Sequence, residues 1–140
     1  IYDRLHQILP GKPKQIFLLI GVNDISHDLS TDSIVNMIEK NVTRIQRESP
    51  ETKLYLQSLL PIDESFNRYK KLTNKTYQIP EINDRLKALA KEKKIDFIDL
   101  YPLFTEKGTN VLRKELTYDG LHLKEEGYKI WVDAIKKKMK

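Results

Sequence analysis

Three short apolar runs, separated by stretches with helical periodicity, set narrow limits on what this 140-residue chain can fold into. The runs cover residues 15–20, 53–60 and 95–100, and the first two close on Gly21 and Pro61. Their length and near-continuous apolar character are those of strands covered on both faces. Between the first two, Ile34, Ile38, Val42 and Ile45 step by 4, 4 and 3, behind the N-cap candidates Ser30 and Thr31. Ile79, Ile82, Leu86 and Leu89 repeat the pattern before the third run, with Pro80 acceptable in a first turn. Tyr128, Trp131, Val132, Ile135 and Met139 are predicted to line one face of a last helix starting near Lys124. Strand–helix alternation of this kind predicts an α/β fold, a parallel sheet with helices on both faces in three α/β/α layers.

The length suits one domain over residues 1–140, and neither repeats nor low-complexity segments divide it. Three strands make a thin parallel sheet. Ile1, Leu5, Ile8 and Leu9 already lie at helical spacing at the very start, as if a helix were entered partway. These features predict the C-terminal part of a larger α/β domain. Residues 15–20 are then expected at an unprotected sheet edge, or paired with another chain or with the missing N-terminal segment. Residues 62–78 are polar and read as a long loop with room for one irregular helix. Such a loop in a compact domain is commonly functional, and here it is expected to border the site and shape specificity.

Composition removes several classes of function. Apolar residues make up 39% and charged residues 32%, a globular rather than a disordered balance. No apolar run approaches the roughly 18 residues of a membrane-spanning helix. The absence of Cys excludes disulfides, Cys-ligated zinc, iron–sulfur clusters and thiol nucleophiles, but leaves the compartment open. The net charge of +5 comes from Lys, 19 of the 25 basic residues, spread over the chain and gathered at its C-terminal end. That position suits a helix C-terminus, and no aromatic or base-reading residues are interleaved, so a nucleic-acid partner is not expected.

The chemistry-bearing residues fall in two clusters. Gly21-Val22-Asn23-Asp24 follows the first strand, and ligands of open α/β sheets bind beyond the carboxyl ends of strands. Gly21 permits a tight turn, and Asn23 offers a neutral amide of the kind that stabilises an oxyanion. Asp119-Gly120-Leu121-His122 stands just before the last helix. An Asp three residues before a His across a Gly turn can fold its carboxylate onto the imidazole Nδ1–H, leaving Nε2 as a general base. A second reading gathers Asn23, Asp24, His27, Asp28, Asp119 and His122 as N/O ligands for Mn or Zn in a metal-dependent phosphoesterase. His27 and Asp28 also fit a solvated loop, and His6 a helix surface. Tyr55, Tyr69, Tyr77, Tyr101 and Tyr118 are candidates for substrate stacking or for packing.

Residues 17–24, Phe-Leu-Leu-Ile-Gly-Val-Asn-Asp, and 118–123, Tyr-Asp-Gly-Leu-His-Leu, the latter followed by Gly127-Tyr128, resemble two signature blocks of the SGNH, or GDSL-type, esterase and acylhydrolase superfamily. Ser58-Leu59-Leu60-Pro61, Asn83 and Phe97-Ile98-Asp99-Leu100 fit the same pattern, so the resemblance spans essentially the whole chain. It implies a flavodoxin-like SGNH hydrolase fold and hydrolysis of carboxylic esters through a Ser-His-Asp triad, without metal or organic cofactor. By that resemblance His122 is the general base, Asp119 its orienting acid and Asn23 an oxyanion-hole donor. Gly21 and Asp24 shape the site, Asp24 by anchoring the loop.

The family's nucleophile, a Ser in a Gly-Asp-Ser stretch after an earlier strand, has no match here, nor does the block that supplies a second oxyanion N–H. None of Ser26, Ser30, Ser33, Ser49, Ser58 and Ser65 stands in such a context, and Ser26, nearest to Asn23, follows the wrong strand. The chain is therefore expected to carry base, acid and one oxyanion donor only, and to be inactive alone. The family's substrates range from acetylated sugars to lipids and thioesters. Short acyl groups, such as acetyl esters of carbohydrates or lipids, are the expected choice, with a catalytically dead binding module of the same fold as the non-enzyme alternative.

Overall fold

The structure, a computed structural model, describes residues 2–139. Three strands, β1 (Gln15–Leu18), β2 (Lys53–Gln57) and β3 (Asp96–Ile98), form a parallel sheet in the order β1-β2-β3. Each is shorter than its apolar run, because the backbone is diverted at the carboxyl end. After β1 the chain passes Leu19 and Ile20 to Gly21, whose φ of 135° lies outside the range of ordinary L-residues. After β2, Ser58 N–H still reaches the Ile98 carbonyl at 3.0 Å. Leu59 then turns both its N–H (2.7 Å) and its carbonyl (3.1 Å) to the side-chain amide of Asn83. A side chain thus replaces the ladder there. Among the described residues β1 pairs only with β2 and stands at one edge of the sheet.

Alternation along the strands builds two cores. Leu18, Leu54 and Leu56 face one side, and pack with Ile38 and Val42 of α3 (Thr31–Glu48) and Ile82 and Leu86 of α4 (Gln78–Lys93). Phe17 and Tyr55 face the other, stacked with centroids 4.6 Å apart, toward Trp131 and Ile135 of α6 (Glu125–Met139). These are the three α/β/α layers. Ser30 caps α3, its hydroxyl accepting from Ser33 N–H at 3.1 Å. Lys94 ends α4 in the left-handed conformation, φ 59°. Short helices α1 (Leu5–Ile8), α2 (Val22–Ser26) and α5 (Tyr101–Phe104) fill the connections. Leu5 and Leu9 are buried at the start of the chain, whereas Ile8 is exposed and Ile1 lies outside the described residues. No helix among the described residues is long and apolar enough to cross a membrane.

One helix face departs from the expectation. In α6, Tyr128, Val132 and Met139 are about half exposed, and the packed face is Gly127, Ile130, Trp131, Ala134 and Ile135. The position of Trp131 decides this, since its indole N–H donates to the buried Gln57 side chain at 2.7 Å and fixes the helix rotation over β2.

Candidate active site

The carboxyl ends of β1 and β2 open into a cleft of about 470 Å³, lined by Ile20, Gly21, Asn23, Leu59, Pro61 and Leu121. Gly21-Val22-Asn23-Asp24 forms the first turn of α2 rather than a plain strand-end turn. Gly21 is buried under Leu59, close enough that an added Cβ would meet the Leu59 side chain at 3.3 Å. Asn23 is exposed at the rim. Asp24 holds the following turn through its carbonyl, which accepts from His27 N–H and Leu29 N–H, each at 3.2 Å. Asn41 of α3 also lines the cleft, buried, with its Nδ2 bonded to the Met37 carbonyl and its Oδ1 without a partner.

The Asp119–His122 turn is built from its own backbone. Thr117 Oγ1 accepts from the N–H groups of Gly120 (3.0 Å) and Asp119 (3.3 Å) and donates to the His122 carbonyl at 2.5 Å. Gly120, at φ 89°, brings the chain against the 62–78 loop, where its carbonyl accepts from Asp63 N–H at 2.9 Å. A Cβ there would lie 2.3 Å from the Asp63 carbonyl oxygen. Asp119 Oδ1 accepts from the N–H groups of His122 (2.8 Å) and Leu121 (2.9 Å). Its Oδ2 lies 2.8 Å from His122 Nδ1 and 2.7 Å from the donating hydroxyl of Tyr69. A carboxylate oxygen at that distance requires the proton on Nδ1, which leaves the Nε2 lone pair free.

The Asp119 side chain is 16% exposed and the His122 side chain 68%, so a sheltered acid orients an accessible imidazole. Burial alone would raise the Asp119 carboxyl. The hydrogen bonds from Tyr69, the His122 ring and the two backbone N–H groups outweigh that, and hold it well below the usual carboxylate range. Tyr69 responds oppositely, its hydroxyl pushed up first by the bond to Asp119 and then by burial.

Tyr69, Thr117 and Asn83 complete the site's framework. Tyr69 comes from the 62–78 loop, which contains two 3-10 turns, Glu64–Phe66 and Lys70–Leu72. The loop is pinned by the ion pair of Lys75 with Asp28, and by Asn74 N–H on the Glu64 carboxylate at 3.1 Å. Nothing local in the sequence marks Tyr69 as a partner of residues fifty positions away. Of the other tyrosines, Tyr55 is buried against Phe17, and Tyr118 is exposed with the Lys124 ammonium 4.9 Å above its ring.

The metal reading gathers no ligand set, since no three His, Asp or Glu groups converge among the described residues. Asp28 is taken by Lys75, and Asp119 by His122 and Tyr69. Nor, among the described residues, does a serine hydrogen-bond to the imidazole. Ser26 donates to the Asn23 carbonyl, Ser30 and Ser33 bond each other, and Ser49 bonds Thr52. Ser58 accepts from Leu100 and Tyr101 N–H, and Ser65 donates to Asp63.

Known proteins share this architecture. An acylhydrolase-type structure from Bacteroides fragilis NCTC 9343 superposes with a TM-score of 0.87 at 24% identity, covering 98% of this chain and 66% of its own. The acetyl xylan esterase AlAXEase superposes at 0.79 with 22% identity, covering 98% of this chain and 73% of its own. These likenesses concern the fold. In sequence, 121 residues are 27% identical to an N-acylneuraminate cytidylyltransferase of Escherichia coli O18:K1:H7, covering 86% of this chain and 27% of that protein. The chain thus spans less than two thirds of the Bacteroides fragilis structure and about a quarter of the curated relative. The family model for GDSL-like lipases and acylhydrolases matches residues 1–130, and the chain belongs to that family.

Proposed function

We propose that this chain supplies the general base, its orienting acid and one oxyanion donor of a serine ester hydrolase. His122, Asp119 and Asn23 take these roles, and Gly21 and Asp24 shape the strand end. The nucleophilic serine comes from a segment preceding residue 1, pairing along the free edge of β1. The 2.8 Å contact of His122 Nδ1 with the Asp119 carboxylate carries the reading, because it fixes both tautomer and ring orientation.

In the reaction the serine hydroxyl attacks the ester carbonyl while Nε2 of His122 takes its proton. Asp119 stabilises the imidazolium, and the Asn23 amide donates to the oxyanion. Collapse of the tetrahedral intermediate expels the alcohol, which receives the proton from Nε2. Water then clears the acyl-enzyme by the same route. No step calls on a metal or organic cofactor. Short acyl groups, above all acetyl esters of carbohydrates or lipids, are the substrates of this reading.

The test is hydrolysis of a p-nitrophenyl ester series, acetate to octanoate, and of acetylated xylooligosaccharides. It compares this chain with a version carrying the upstream Gly-Asp-Ser segment. Acetate preference in the longer protein, loss of about 10³-fold or more with His122→Ala, and indifference to chelator are expected. Full turnover by the 140 residues alone would refute the division of the triad, and dependence on Mn or Zn would favour the phosphoesterase reading.

A further inference from the structure

We propose that Tyr69 is a positioning residue of the Asp119–His122 pair, its phenol sharing the carboxylate oxygen that faces the imidazole and thereby restraining the basicity of His122. The inference rests on the base–acid reading above and adds a third member to it.

Three atoms form a closed triangle: Tyr69 Oη to Asp119 Oδ2 at 2.7 Å, His122 Nδ1 to the same Oδ2 at 2.8 Å, and Tyr69 Oη to His122 Nδ1 at 3.0 Å. Only two protons serve these three edges, the phenolic one and the one on Nδ1, and Oδ2 is the acceptor both can use. Oδ1 is already filled by two backbone N–H groups. The carboxylate therefore cannot swing to give His122 an oxygen of its own. A donor on Oδ2 withdraws charge from the contact that stabilises the imidazolium, so the phenol acts against protonation of His122. It also blocks rotation of the carboxylate, holding the ring where Nε2 is accessible.

Tyr69 is set in place from both directions. Its ring packs at the margin of the core, and Leu72, whose N–H bonds the Tyr69 carbonyl at 3.0 Å, is buried beneath the loop. The loop is joined to the Asp119–His122 turn by Asp63 N–H on the Gly120 carbonyl, so phenol and carboxylate belong to one bonded frame. Of the charged groups near the pair, Arg68 adjoins Tyr69 and is the weakest of the influences on its hydroxyl, Lys124 sits over the Tyr118 ring, and Asp24 lines the same cleft as Leu121.

The experiment is an NMR titration of the His122 ring nitrogens in this chain, comparing the unmodified protein with Tyr69→Phe and Asp119→Asn. Tyr69→Phe keeps the ring packing and removes only the hydroxyl. It is expected to move the His122 midpoint upward, toward easier protonation, while the Nδ1–H tautomer persists. A tyrosine that merely packs the loop would leave the midpoint unmoved. An unmoved or lowered midpoint overturns the proposal. Asp119→Asn is expected to lower it, and its failure to do so would instead undo the base–acid reading itself. The two failures are therefore distinguishable in one set of spectra.

Discussion

Replacing Asn83 by Ala removes a single amide that satisfies both backbone groups of Leu59, its N–H at 2.7 Å and its carbonyl at 3.1 Å. Leu59 is 0% exposed, so neither group can turn to water without opening the layer between α4 and the sheet. An orphaned buried backbone group costs about 1–3 kcal/mol, which gives about 2–6 kcal/mol for the pair. For a domain of this size each kcal/mol lowers Tm by about 3 °C, so a fall of about 6–18 °C is expected. Urea unfolding followed by circular dichroism should show the midpoint moving with the slope unchanged, because the surface exposed on unfolding hardly changes. Asn83→Asp refines the test. Its carboxylate still accepts from Leu59 N–H but sets a negative oxygen against the Leu59 carbonyl. Its deficit should narrow as acid protonates the group and restores a donor. A loss below about 1 kcal/mol for Asn83→Ala would refute the argument that this amide, rather than the strand ladder, holds the turn at the end of β2.

Two further perturbations probe the turn that carries His122. Gly120→Ala meets both a φ of 89° and a carbonyl oxygen 2.3 Å from the new Cβ, whereas Gly108→Ala meets only a φ of 76° with nothing within 4 Å. Chemical denaturation should therefore show a cost of about 1 kcal/mol at Gly108 and at least about 3 kcal/mol at Gly120; equal costs would count against the Asp63 approach. Asp119→Asn removes a carboxylate whose folded pKa lies below its unfolded value. That stability is fully present above the unfolded pKa, near 4, and is lost as pH falls through the folded one. The unmodified protein should exceed the variant in stability at pH 7, and the gap should shrink below about pH 4; a gap independent of pH would show that the carboxyl titrates alike in the folded and unfolded chain, so that these bonds do not favour its ionised form.

The features legible in the sequence were those written in short-range pattern. Short near-continuous apolar runs mark strands covered on both faces, and a period near 3.6 marks helices because side chains recur on one face within a few residues. Asp119 and His122 could be paired on paper because three residues and a Gly suffice to close the contact. The edge position of β1, expected from the resemblance to a larger α/β domain, is not written in the three apolar runs themselves, because their number does not say which strand is central; the order β1-β2-β3 decides it. What the tertiary structure alone decided involves groups far apart in the chain. Tyr69 reaches Asp119 and His122 across about fifty residues, and Asn83 reaches Leu59 across 24. In α6 the spacing of Tyr128, Val132 and Met139 satisfies a helical stripe as well as the face that is packed, and the packing of Ile130, Trp131, Ala134 and Ile135 together with the bond from Trp131 to Gln57 selects between them. A periodicity names the faces a helix has available. Which face is buried, and which distant hydroxyl shares the Asp119 carboxylate, depends on partners that meet only when the layers pack.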